Sequence, residues 1–95
     1  MFLLRIQHPV LDFERWRMAF DSDPLDRRAS GVSNYALYRG TADDSFVGID
    51  LEFTTLADAQ LMLQRLQGMW ASGPAGVAAP ADTWILESVD RVNLG

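Results

Sequence analysis

A chain of 95 residues that is 48% hydrophobic and 22% charged can fill one hydrophobic core but not two, which excludes a disordered chain and predicts one domain over residues 1–95. Its formal charge of −5 and pI near 4.5 repel phosphate backbones and anionic lipid, so neither nucleic acid nor a membrane is an expected partner. Cysteine is absent, which removes disulfides, thiolate metal sites and a thiol nucleophile, and leaves packing or self-association to hold a small fold together.

Residues 2 to 8 alternate, with Phe2, Leu4, Ile6 and His8 on one side and Leu3, Arg5 and Gln7 on the other, the two-residue period of a strand. Arg5, Gln7 and His8 interrupt the apolar start too early for a secretory leader, so the expected compartment is the cytoplasm. Pro9 suits a first helical turn, Asp12 and Glu14 favour the positive end of a helix dipole, and Phe13, Trp16 and Phe20 recur at helical spacing; a helix is predicted from about 10 to 21. Asp21-Ser22-Asp23-Pro24 breaks it and leaves room for a short turn over Leu25–Ser30 before Gly31. Val32–Arg39 and Phe46–Phe53 read as strands joined by a short polar connection, hence an antiparallel hairpin, with Val47, Ile49, Leu51 and Phe53 sharing a face. Thr55 followed by Asp58 opens a second helix whose apolar stripe is Leu56, Ala59, Leu63, Leu66 and Trp70. Ala71–Asp82 carries two Gly and two Pro without periodicity and is predicted as a long loop, and Thr83–Asp90 alternates as a fourth strand.

The order β-α-β-β-α-β is the split βαβ arrangement. Right-handed crossovers place both helices on one face of a four-stranded antiparallel sheet, giving a ferredoxin-like α+β fold. The opposite face is left bare, presenting Leu3, Arg5 and Gln7 from the first strand and Phe46, Gly48, Asp50 and Glu52 from the third. Those strands are neighbours in this topology, so Arg5 is expected near Asp50 or Glu52. A face of mixed aromatic, aliphatic and matched charge can be solvated or can meet its own copy and bury an Arg–carboxylate network, and a homodimer is expected. RNA-binding domains share the strand order, but Asp50 and Glu52 would repel RNA from such a sheet.

Three stretches carry a resemblance: His8-Pro9-Val10-x-Asp12-Phe13-x-x-Trp16-x-x-x-Phe20, then Arg28-x-x-Gly31-Val32, then the Phe46–Phe53 strand entering an Ala-containing helix. In them the chain resembles the dimeric α/β-barrel superfamily, in particular its antibiotic-biosynthesis-monooxygenase-like members. The resemblance implies a dimeric α/β barrel and a range of activities: cofactor-free oxygenation of aromatic polyketides, haem degradation, small cyclisations and isomerisations, or none. Haem-degrading members pair a strand-one amide with a helix-two Trp and a following His. Gln7 and Trp70 match the first two, but no His follows Trp70, so the resemblance does not extend to haem.

Among residues that can carry chemistry, His8 is the sole histidine. It can act as a general base or hold an anionic oxygen, or it can simply bond a loop carbonyl. Tyr35 offers a hydroxyl for stabilising a substrate anion. Phe13, Trp16, Tyr35, Tyr38, Trp70 and Trp84 can wall an apolar pocket between sheet and helices, or serve as plain core. Arg27-Arg28 follows Asp23 and Asp26 and can capture a carboxylate or enolate, Arg28 being the binding candidate, or pair with its acidic neighbours as a solvated turn. One His without Cys supplies no metal cluster, and the chain has no phosphate loop or nucleophile elbow, so no metal or cofactor is expected. Two functions remain open: a cofactor-independent oxygenase or cyclase acting on an aromatic or quinone-like small molecule, and a non-catalytic homodimer that binds a small hydrophobic molecule or serves as an interaction module.

Overall fold

A computed structural model describes residues 1–71 and 81–95 of the protein. The elements run β1 (Phe2–Pro9), α1 (Phe13–Asp21), β2 (Val32–Arg39), β3 (Phe46–Phe53), α2 (Leu56–Ala71) and β4 (Asp82–Glu87). The four strands order as β2-β3-β1-β4, every neighbouring pair antiparallel, which is the expected ferredoxin-like α+β fold. Of the loop expected over 71–82, residues 72–80 lie outside the described residues; Ala71 closes α2 and Asp82 opens β4. Among the described residues no helix is long and apolar enough to cross a membrane.

Alternation in β1 and β3 builds the core. Leu4, Ile6, Val47, Ile49, Leu51 and Phe53 are buried on one sheet face against Trp16 of α1 and Ala59 and Met62 of α2. Each large aliphatic side chain fully removed from water contributes about 1.5–3 kcal/mol, so this cluster dominates the stability of the fold. The stripe expected on α2 is rotated slightly. Met62 takes a core position and Leu56, expected on the stripe, is exposed at the helix start.

Helix α1 begins later than expected. Pro9 remains in β1, opposite Phe46 and beyond Gln7, the last β1 residue that β4 pairs. At the end of the ladder a missing N–H costs little. The backbone of Val10 still reaches Ser45, and Asp12 then caps α1, its carboxylate accepting the Arg15 N–H at 3.2 Å. A side-chain cap satisfies one of the free N–H groups of the first turn, so the helix starts after the cap instead of at the proline. β4 likewise ends at Glu87, short of the expected Asp90, with the Ser88 N–H bonding the Met1 carbonyl.

A bulge sets the phase of β2. Val32 pairs with Phe53 and Asn34 with Glu52, so Ser33 is the extra residue, and its hydroxyl bonds the Glu52 carbonyl at 3.2 Å. Past it, Tyr35 and Leu37 share the helix face with Leu51 and Ile49, while Ala36 and Tyr38 join Asp50 and Gly48 on the open face. On β4, Trp84 lies opposite Arg5 and Leu86 opposite Leu3, so both also point to the open face. Tyr38 and Trp84, expected as possible pocket walls, therefore stand on the other side of the sheet, because side-chain parity is fixed by register.

Candidate functional site

The helix-covered face is not completely filled. Between sheet, α1, the turn that follows it and the last turns of α2 lies a partly open cavity of about 310 Å³. Its floor is Ile6, His8, Ile49 and Leu51 of the sheet, and its walls include Trp16 and Phe20 of α1 and Met62, Leu66 and Trp70 of α2. Its polar side chains are His8, Ser22, Asp23 and Arg27. Small-molecule sites have this character, a mainly apolar hollow with a few placed polar groups, and this volume sits at the lower end of their range.

His8 arrives there through strand parity: it occupies the buried side of β1, two residues beyond Ile6, opposite Val47. The side chain is 2% exposed, and its ring meets Trp16 edge-on with centroids 5.9 Å apart. Nδ1 lies 3.0 Å from the Pro9 carbonyl oxygen. A carbonyl can only accept, so Nδ1 is the donor and Nε2 carries the lone pair. Every fully buried side-chain nitrogen or oxygen among the described residues has a hydrogen-bond partner. Nε2 has none and so retains open surface, and the space that His8 borders is the cavity. Burial lowers the pKa of His8 from its ordinary 6.5, with the Pro9 bond acting weakly in the opposite direction. The imidazole is therefore held neutral, with an accepting nitrogen facing apolar walls. The carbonyl bond expected of a strand-end histidine is present at Nδ1, and Nε2 has no hydrogen-bond partner among the described residues.

Spacing on α1 produces a row of rings. Phe13 and Trp16 have centroids 5.9 Å apart, Trp16 and Phe20 stack at 5.5 Å and 27°, and Phe20 meets the edge of Tyr35 at 5.3 Å. Of the candidate residues, the structure brings His8, Trp16 and Trp70 together around the cavity. Phe13 lies at the outer end of the row beneath the Arg39 guanidinium, and Tyr35 is 47% exposed behind Phe20; neither lines the cavity. Arg28 is exposed and also off the lining; its neighbour Arg27 occupies that place. The expected binding residue of the Arg27-Arg28 pair was Arg28. The signal that separates them is Asp23, four residues before Arg27, whose Oδ1 accepts the Arg27 backbone N–H at 2.9 Å and turns that residue inward.

The open face carries a second set of contacts. Arg5 pairs with Asp50, one of the two expected partners, and Glu52 is taken by Arg91 at 2.7 Å. Tyr38, Phe46, Trp84 and Leu86 are 38–56% exposed around these pairs, an apolar patch of the kind that marks an interaction surface.

Fold and cavity together define a ferredoxin-like α+β domain with a ligand-sized space between its helices and its sheet. Solved structures share this architecture along almost the whole chain. A dimeric ferredoxin-like protein from an uncultured marine organism matches with a TM-score of 0.68 at 13% identity, over 96% of this chain and 97% of its own. An antibiotic biosynthesis monooxygenase matches at 0.67 and 11% identity, over 95% and 100%. The monooxygenase from the ActVA-Orf6 gene of Streptomyces coelicolor, in complex with the ligand Nanaomycin D, matches at 0.66 and 12% identity, over 99% and 92%. The expected ferredoxin-like fold is thus shared with these structures. No protein-family model matches the chain, and no curated protein matches it in sequence.

Proposed function

We propose that the protein is a homodimeric α/β barrel that takes a flat aromatic molecule into the cavity of each subunit and removes the proton of a ring hydroxyl with His8 Nε2, the opening step of a cofactor-independent oxygenation. The observation that carries this reading is the neutral, half-satisfied imidazole bordering a cavity walled by Trp16, Phe20 and Trp70. A desolvated base beside a stacking platform meets the two needs of such chemistry, orientation and proton removal. The resulting anion is electron-rich enough to be oxidised by dioxygen. One oxygen atom enters the ring to give a quinone, the other leaves as water, and the two electrons and two hydrogens come from the substrate. The open sheet face supplies the dimer contact, with Tyr38, Phe46, Trp84 and Leu86 covered by a second copy, as the dimeric ferredoxin-like neighbour suggests.

A second reading, binding without turnover, is favoured by one observation: Tyr35, the other candidate for stabilising a substrate anion, lies off the cavity lining. The two are separated with polycyclic phenols such as 1-naphthol. Binding is followed through quenching of Trp16 and Trp70 fluorescence and turnover through oxygen consumption. Oxygen uptake that is lost in His8→Gln while binding persists supports the oxygenase. Binding with no uptake in the wild-type protein leaves the binder, and no binding at all removes the cavity as the functional site.

A further inference from the structure

We propose that the ligand of this cavity is an anion, an aromatic carboxylate whose charged group is caught by Arg27; the inference rests on the cavity being a ligand site, as argued above, and adds what its ligand must carry. Arg27 follows a turn in which both Asp23 (φ 54°) and Asp26 (φ 49°) adopt the left-handed backbone conformation, which is uncommon for residues with a side chain and held here by the bonds around it. Three of those bonds pin Arg27 itself. Its N–H donates to Asp23 Oδ1 at 2.9 Å, its carbonyl accepts the Val32 N–H at 3.0 Å, and its Nη1 donates to the Phe20 carbonyl at 2.7 Å. The guanidinium stands over two rings, its carbon 3.9 Å from the centroid of Phe20 and 4.9 Å from that of Tyr35.

This cation is left short of partners. Its side chain is 17% exposed, and its ion pair is a 3.5 Å approach of Nη1 to Asp23 Oδ1, an oxygen already committed to the Arg27 backbone. Nε and Nη2 have no hydrogen-bond partner among the described residues. A half-buried guanidinium whose two unspent donors keep open surface, beside an apolar hollow, favours a ligand that brings a planar anion in place of water, and a carboxylate fits that fork. His8 touches Trp16, Arg27 touches Phe20, and these two rings touch each other. His8 and Arg27 both line the one cavity, so an acceptor nitrogen and a cation border the same space.

The test compares 2-naphthoate with 2-naphthalenemethanol, a neutral probe of similar shape, by titration calorimetry on the whole protein. The expected result is naphthoate at least tenfold tighter than the alcohol in the wild-type protein. That advantage should vanish in Arg27→Met while the alcohol still binds, and grow in Asp23→Asn, which removes the competing carboxylate yet keeps an oxygen for the Arg27 N–H. Equal binding of the two probes, or an advantage that survives Arg27→Met, overturns the anion assignment and leaves the cavity standing as a neutral site. Failure of both probes to bind the wild-type protein overturns the cavity reading as well. If Arg27→Met does not fold, Asp23→Asn decides: unchanged or weaker naphthoate binding there also refutes the proposal.

Discussion

Arg5 and Asp50 stand directly opposite each other on β1 and β3 and join through two parallel contacts, Nε to Oδ1 at 3.0 Å and Nη2 to Oδ2 at 3.1 Å. The bond to Asp50 raises the pKa of Arg5 further above its ordinary value. In the single subunit the Arg5 side chain is 43% exposed, and a pair that wet is worth about 0–1 kcal/mol. In the proposed dimer a second subunit would cover the same pair and desolvate it, so that deleting one member strands the other. Asp50→Ala is therefore expected to leave subunit folding nearly unchanged but to weaken dimerisation by about 2–5 kcal/mol, read by sedimentation equilibrium over a concentration series. A dimer constant identical to that of the wild-type protein would show that the pair lies away from the interface.

His8 links cavity and stability. Its folded pKa lies below the unfolded 6.5 because burial disfavours the charged ring. As pH falls below about 6.5, the unfolded chain therefore binds a proton that the folded one resists. Stability due to His8 is complete above that value and lost as pH drops toward the folded pKa. Urea midpoints measured at pH 7.5 and 5.5 should fall for the wild-type protein and fall less for His8→Gln, which cannot take up that proton. Equal slopes for the two proteins would mean that His8 is not held neutral by its surroundings.

Trp16 both anchors α1 and walls the cavity, 5% exposed and in ring contact with His8, Phe13 and Phe20. Truncating a buried aromatic costs about 3–5 kcal/mol, so Trp16→Ala is expected to lower the denaturant midpoint steeply. Trp70 is half-buried at the far wall. Trp70→Phe should cost less than about 1.5 kcal/mol, since it keeps an aromatic ring at a half-buried position where the lost volume opens onto the cavity, while weakening binding of 1-naphthol. A cost for Trp70→Phe equal to that of Trp16→Ala would place Trp70 in the core instead of on a ligand wall.

Strand parity and helical spacing made most of this architecture readable in advance. The alternation of Phe2, Leu4, Ile6 and His8 fixed which side of β1 was buried, and with it the place of His8 beneath α1. What stayed hidden were events one residue long. The bulge at Ser33 shifts the phase of β2 and decides that Tyr35 takes the helix face and Tyr38 the open one, not the reverse, and nothing in Val32-Ser33-Asn34 distinguishes it from regular alternation. The choice of Arg27 over Arg28 depends on two non-glycine residues held at positive φ, a conformation that propensity disfavours. Pro9 read as a helix starter because its fixed φ suits a first turn; the ladder to Phe46 and the Asp12 cap outweighed it. Local chemistry thus located the cavity, and tertiary contacts chose which polar groups enter it.

Gly31 joins that turn to the start of β2. Its φ is +97°, and a Cβ built there would lie 2.6 Å from Asp58 Oδ2 of α2. The clash alone is cheap, because a carboxylate can swing aside. The backbone angle is the greater obstacle, since side-chain-bearing residues at positive φ cost about 1–3 kcal/mol. Gly31→Ala is therefore expected to destabilise the protein by about that amount, and to loosen the segment that holds Arg27, because the Gly31 N–H bonds the Arg28 carbonyl and the Val32 N–H bonds that of Arg27. Asp58→Ala, introduced beside it, removes the clash but not the strain. Thermal unfolding of the two single variants and the pair tells which dominates: a double variant as unstable as Gly31→Ala assigns the cost to the backbone, and recovery toward the wild-type midpoint assigns it to the contact with α2.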